Sequence, residues 1–204
     1  MFSKNDGNKL LELARNTVKA RLDSEDVKKL GAKAHDVFFE NRKSEDFLVI
    51  KVSDEIKKRF SDKKGVFVTI TENGELRGCI GYIEPIFSLW KAILNAATGA
   101  AFSDPRFMPL AEGEYENLKF EVSVLTEPEL IKAPYEENIE IGKHGLIVEQ
   151  DGFKGLLLPQ VAPEWKWNKR QFLEHTCIKA GLDKDAYKNK ETKVYKFGCE
   201  VFEE

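Results

Sequence analysis

Val66-Phe67-Val68-Thr69-Ile70-Thr71-Glu72-Asn73-Gly74-Glu75-Leu76-Arg77-Gly78-Cys79-Ile80-Gly81 decides the fold class. Val66–Thr71 is rich in β-branched and aromatic residues, as a pleated strand requires. Asn73-Gly74 is a strong hairpin signal because both positions tolerate φ > 0. Leu76–Ile83 reads as the returning strand, and Pro85 ends it. The hairpin is therefore antiparallel.

The flanks read mostly as helices. Leu10, Leu13, Ala14, Thr17, Val18, Arg21 and Leu22 recur at helical spacing, giving a helix over about 8–22. Ser24 can cap a second helix with an apolar stripe at Val27, Leu30, Val37 and Phe38. A short strand at Phe47–Val52 and a helical turn near Asp54–Phe60 follow. Leu89, Ile93, Ala96, Ala97, Ala100 and Ala101 give a helix with small residues on its packing face. Asp104-Pro105 and Met108-Pro109 stop it and fix a loop. Phe120–Leu125 alternates as a strand, with Phe120, Val122 and Val124 on one face and Glu121 on the other.

A smaller lobe is expected over about 128–190, beside a larger one over about 1–127 plus the C-terminal strand. Gly145–Gln150 and Phe153–Leu158 form a hairpin about Asp151-Gly152. Asn168 caps a helix that Gly181 ends. Val194–Phe202 reads as one final strand. Helices and antiparallel hairpins mix without a βαβ rhythm. The expected fold is α+β: mainly antiparallel sheet flanked by helices, with a smaller second α+β lobe.

Composition narrows the function. The 204 residues carry a formal net charge of −3, with both signs mixed along the chain. That balance argues against nucleic-acid binding through phosphate neutralisation. The polar N-terminus shows no secretory signal, and no apolar run approaches the roughly 20 residues of a membrane span. Cys79, Cys177 and Cys199 are odd in number and lack CxxC spacing. A disulfide framework and a zinc site are both unsupported, and a reducing cytoplasm is the expected home. Dinucleotide, phosphate-loop, zinc-protease, serine-hydrolase and calcium-loop motifs are absent. No cofactor is indicated.

Cys79 is the first candidate for chemistry. It lies between Gly78 and Ile80-Gly81, and on a regular strand Arg77 shares its face. A nearby guanidinium favours a thiolate. Cys79 also reads as a small buried hydrophobe with glycines making room, or as a ligand contact. Asp104 and Arg106, fixed by Pro105, suit either an anion clamp or a structural pair pinning the loop. Glu121 is a proton-transfer candidate if half-covered, and otherwise a solvated or salt-bridged carboxylate. His144, in Gly142-Lys143-His144-Gly145, reads as a general base or as a turn residue bonding the backbone. His35 and His175 read as surface or packing residues. Gln160, near Trp165 and Trp167, could supply one amide to an apolar wall, while the tryptophans otherwise suit packing.

Leu76-Arg77-Gly78-Cys79-Ile80-Gly81, Ala100-Ala101-Phe102-Ser103-Asp104-Pro105-Arg106-Phe107 and Glu121-Val122-Ser123-Val124-Leu125 together resemble the AMMECR domain family. Gly142-Lys143-His144-Gly145-Leu146, Leu157-Leu158-Pro159-Gln160-Val161-Ala162 and Lys179-Ala180-Gly181-Leu182 continue the likeness in the same order, so that it runs from about residue 8 to the end. Tyr187 stands where a Trp is expected. The resemblance implies a two-lobed α+β fold, a cytoplasmic prokaryotic protein, and association with Memo-like and radical S-adenosylmethionine proteins. It supplies no reaction. The expected function is a Cys-centred enzyme or modification-pathway component, with Cys79, His144 and Glu121 as catalytic candidates. Arg77, Gly78, Gly81, Asp104, Arg106 and Gln160 are the binding candidates. The alternatives are a non-catalytic ligand- or partner-binding adaptor and, more weakly, a nucleotide- or RNA-binding protein.

Overall fold

The computed structural model describes residues 1–24 and 50–204. The second helix expected after Ser24, His35 and most of the expected strand at Phe47 lie outside the described residues. The chain is α+β, and its described residues divide into two units, Met1–Val124 with Glu200–Glu204, and Leu125–Cys199.

The first unit opens with α1 (Lys4–Asp23), longer at its start than periodicity alone predicts. Ser3 and Asp6 form a reciprocal capping box that satisfies orphan N–H groups of the first turn. Asp6 also accepts both arms of Arg59, at 2.8 and 2.7 Å, from the end of α2 (Asp54–Arg59). β1 (Val66–Glu72) and β2 (Glu75–Tyr82) follow, joined through Asn73 at φ 53° and Gly74 at φ 84°. α3 (Leu89–Phe102) is the next long element. A 3-10 turn at Glu112–Asn117 leads into β3 (Leu118–Leu125).

The strand order in this sheet is β2-β1-β3, then the C-terminal strand Cys199–Glu203. Val66, Val68 and Ile70 are fully buried on one face, with Phe120, Val122 and Val124 beside them. α1 and α3 pack together against this sheet and share its core. Their approach depends on small residues at the contact. A Cβ on Gly78 would lie 2.0 Å from the carbonyl oxygen of Ala100, and one on Gly99 would lie 2.9 Å from Ile80 Cγ2. Strand and helix backbones therefore meet where Gly78 carries no side chain.

In the second unit, β4 (Glu129–Ile131) precedes a helical turn, α4 (Tyr135–Asn138). β5 (Gly145–Gln150) and β6 (Phe153–Leu157) form the hairpin expected about Asp151-Gly152, whose φ values are 50° and 83°. α5 (Val161–Glu164) and α6 (Lys169–Lys179) follow. Asn168 caps α6 in a box with Gln171, and Gly181 at φ 78° lies just beyond its end. With β7 (Lys193–Phe197) the sheet runs β4-β7-β5-β6, and every pairing in it is antiparallel. Leu146, Val148, Phe172, Leu173, Cys177 and Val194 form its core.

The single final strand expected at Val194–Phe202 is two strands, β7 in one sheet and β8 (Cys199–Glu203) in the other. The break falls at Gly198. Its N–H donates to Thr126 Oγ1 at 2.7 Å, and its carbonyl accepts from Thr126 N–H at 3.0 Å. These bonds replace ladder pairing at Gly198, and apolar alternation carries no sign of the change of sheet.

Gly78→Ala forces Ala100 or β2 to move and is expected to destabilise the fold by about 2–3 kcal/mol or more. Gly113→Ala, where an added Cβ meets nothing within 4 Å, is the control. Urea unfolding of the two variants tests this, and equal midpoints would refute the close approach.

Candidate functional site

A bulge in the hairpin builds the site. Glu72 pairs with Glu75 and Thr71 with Leu76, as a two-residue turn dictates, but Ile70 then pairs with Gly78 and Thr69 with Cys79. Arg77 is the extra residue. Were Arg77 instead paired with Ile70 in regular register, Cys79 would lie opposite Val68 and face the core, because a one-residue slip exchanges the two faces of a strand. The bulge instead turns Cys79 to the face that carries Thr69. Glu121 lies opposite Thr69 on the other side, so Cys79, Thr69 and Glu121 form one row across three strands.

Side-chain contacts knit the row together. Thr69 Oγ1 lies 3.3 Å from Cys79 Sγ, in hydrogen-bond contact. Ser123 Oγ donates to Glu121 Oε1 at 2.9 Å. Gly81 is on the same face as Cys79, and the Phe67 ring occupies the space where its side chain would be. Both hexapeptide glycines therefore make room for the protein's own atoms.

β2 is an edge strand, so alternate backbone groups point away from the sheet. At Cys79 the loop after α3 covers them. Cys79 N–H donates to Asp104 Oδ2 at 2.9 Å, and Arg106 Nη2 approaches the Cys79 carbonyl at 3.4 Å. Asp104 is buried and also accepts Arg106 Nε at 2.9 Å, Nη2 at 2.7 Å and backbone N–H at 3.1 Å. Burial works to raise the Asp104 pKa, but these four donors outweigh it and hold the carboxyl at about 2.

Arg77 departs from the regular-strand expectation that it serves Cys79. As the bulge residue it reaches the 3-10 turn and grips Glu114 with two bonds, 2.6 and 3.2 Å. Burial works to raise the Glu114 pKa, but Arg77 and the backbone N–H of Ala111 hold it below the usual carboxylate range. Two guanidinium groups lie over the Phe107 ring, Arg77 Cζ at 6.0 Å and Arg106 Cζ at 5.4 Å from its centroid.

The Cys79 thiol is half-buried, and burial raises its pKa. The hydrogen bond from Thr69 and the charge of Arg106 oppose the rise, while Asp104 and Glu121 add to it. The net result is a neutral thiol at neutral pH.

His144 and Gln160 stand in the second unit. His144 closes a turn with Glu140: its N–H donates to the Glu140 carbonyl at 3.0 Å, and its Nδ1 accepts the Glu140 N–H at 3.1 Å. The ring proton therefore sits on Nε2. Burial lowers the His144 pKa, and Lys196 and Lys143 lower it further. Gln160 is half-buried, just before α5. Trp165 is 67% exposed and stacks on Trp167 at 5.9 Å, which in turn lies parallel to His175 at 3.8 Å. Among the described residues no group of three His, Cys, Asp or Glu is placed to hold a metal, and no helix is long and apolar enough to cross a membrane.

Thr69 is the site residue that sequence reasoning missed. The turn signal locates the hairpin, but only the bulge places Thr69 opposite Cys79.

These features define a class of α+β protein in which a hairpin carries a thiol at a bulged edge and an Asp-Pro-Arg loop clasps that edge. The AMMECR1 family model matches residues 11–202, and the chain belongs to that family. A protein of Aquifex aeolicus is 51% identical over 160 residues, covering 76% of this chain and 82% of its own. A Pyrococcus furiosus protein is 52% identical over 151 residues, covering 70% and 72%. The crystal structure of the uncharacterized protein PH0010 from Pyrococcus horikoshii superposes with a TM-score of 0.76 at 40% identity, over 97% of this chain and 91% of that one.

Asp104 ties pH to stability. Its folded pKa of about 2 lies below the ordinary 3.8, so its contribution is present above pH 3.8 and is lost as pH falls toward 2. Asp104→Asn is expected to cost on the order of 2 kcal/mol at neutral pH. The gap between variant and wild type should close on acidification to about pH 2. Thermal melts across that window check it, and a constant gap would refute the linkage.

Proposed function

We propose that this protein is a binding component of a modification pathway, and that the Cys79–Thr69–Glu121 face holds a ligand or a partner. One observation carries the reading: Cys79 is contacted by Thr69 and anchored through its own backbone by Asp104 and Arg106, and burial pushes its thiol pKa up. A nucleophilic cysteine needs a thiolate, which comes from an adjacent base or a dominant positive charge. Here burial outweighs Arg106, and Arg77 is occupied by Glu114. The partners implied by the family likeness are Memo-like and radical S-adenosylmethionine proteins. The cytoplasm is the proposed location, in keeping with three described cysteines of which none is in a disulfide.

A Cys-centred enzyme is the second reading. It is favoured by the opposite charges of Arg106 and Glu121, which both act on the thiol. In that reading a bound ligand would shift the balance toward thiolate.

The two readings part at the thiol. The rate of Cys79 alkylation by iodoacetamide, followed by peptide mapping, is expected to rise with a midpoint above the ordinary thiol value of about 8.5. Cys79→Ser is expected to keep partner binding and pathway activity. A midpoint below that value, together with loss of activity in Cys79→Ser, would establish the enzyme instead.

A further inference from the structure

We infer that the face around Cys79 takes a small zwitterion of amino-acid type, its ammonium on Glu121 and its carboxylate on Arg106. The inference rests on the binding reading above and names the ligand class.

Two unused polar edges flank the thiol. Of the five N–H groups of Arg106, two bond Asp104 and one approaches the Cys79 carbonyl, which leaves the Nη1 pair without a partner among the described residues. The Arg106 side chain is 54% exposed. Glu121 uses Oε1 for Ser123, and its Oε2 has no partner among the described residues. Arg106 borders Cys79 at the edge of β2, by the Cys79 carbonyl, and Glu121 stands on β3, across Thr69 in the same row.

Charge selects the ligand. Arg77 is matched by Glu114, and Asp104 by Arg106. A free anion at Arg106 would feel the carboxylates of Asp104 and Glu121, while a free cation at Glu121 would feel Arg106. A molecule with both ends satisfies each. Between those ends the neutral thiol, Gly81 and the Phe67 ring offer a floor that adds no charge.

The test is protection of Cys79 in the full chain from N-ethylmaleimide, read by peptide mapping. The probes are L-alanine and L-leucine, with L-alaninamide as the cation alone and propionate as the anion alone. For a Kd of about 1 mM, a zwitterion at about 10 mM should slow alkylation roughly tenfold. The single-charge probes should change it little. Glu121→Gln, which removes the charge and leaves the Asp104–Arg106 pair untouched, should abolish protection by the zwitterion while melting as a folded protein. Equal protection by single-charge probes, or none by either amino acid, overturns the inference. If a Memo-like partner still shields Cys79 when the amino acids do not, the binding reading stands and only the ligand class fails. If neither shields it, both fail.

Discussion

A single inserted residue governs this site. Arg77 lengthens β2 by one position relative to β1, and every residue after it exchanges faces. Gly78 thereby meets the backbone of α3, where only a glycine fits, and Cys79 meets Thr69. The two outcomes are coupled. A register that buried Cys79 would turn Gly78 outward and bring a side-chain-bearing residue against Ala100. Helix packing thus pins the register, and the register aims the thiol. The bulge itself is held by the two bonds from Arg77 to Glu114, which give its side chain a fixed partner away from Cys79.

The Asp104-Pro105-Arg106 loop answers a second constraint. An edge strand presents unpaired N–H and carbonyl groups, which invite pairing with another chain. Asp104 and Arg106 occupy those of Cys79, so that point of the edge is closed by side chains. The same contacts bring a buried carboxylate and a guanidinium to the rim of the thiol. Electrostatics there is a balance in which burial prevails, and the thiol stays neutral. A neutral thiol among hydrogen-bonding groups suits recognition, since it can lie against a ligand without adding charge.

Much of this was legible in the sequence, for identifiable reasons. Asn73-Gly74 and Asp151-Gly152 require positive φ, and both appear as tight turns. Alternation put Phe120, Val122 and Val124 on one face of their strand, and that face lies in the core. Asn168 and Gly181 marked the ends of α6. The bulge was not legible, because turn residues fix where a hairpin folds back but not whether one strand carries an extra residue beyond it. Gly198 was equally silent, since Val194–Phe202 keeps an apolar rhythm across the change of sheet. Asp104 and Arg106 were visible as a pair, but their attachment to the backbone of Cys79, 25 positions away, is tertiary. His144 fits the turn role that its flanking glycines allow, with Nδ1 bound to the Glu140 N–H.

The hexapeptide that makes the family recognisable is therefore largely an architectural element. Gly78 admits a helix, Gly81 admits the ring of Phe67, Ile80 packs against Gly99, and Arg77 holds the bulge. Leu76 is exposed, and Cys79 alone combines a reactive atom with the open face. The groups that give that atom its setting come from elsewhere: Thr69 from β1, Glu121 from β3, and Asp104 and Arg106 from the loop after α3. A substitution within the hexapeptide would thus disturb folding and function together. Substitution at Glu121 separates them, because its side chain fills no core position, whereas any change at Arg106 also frees the buried Asp104 carboxylate. Glu121 is where recognition can be altered while the hairpin and its bulge stay intact.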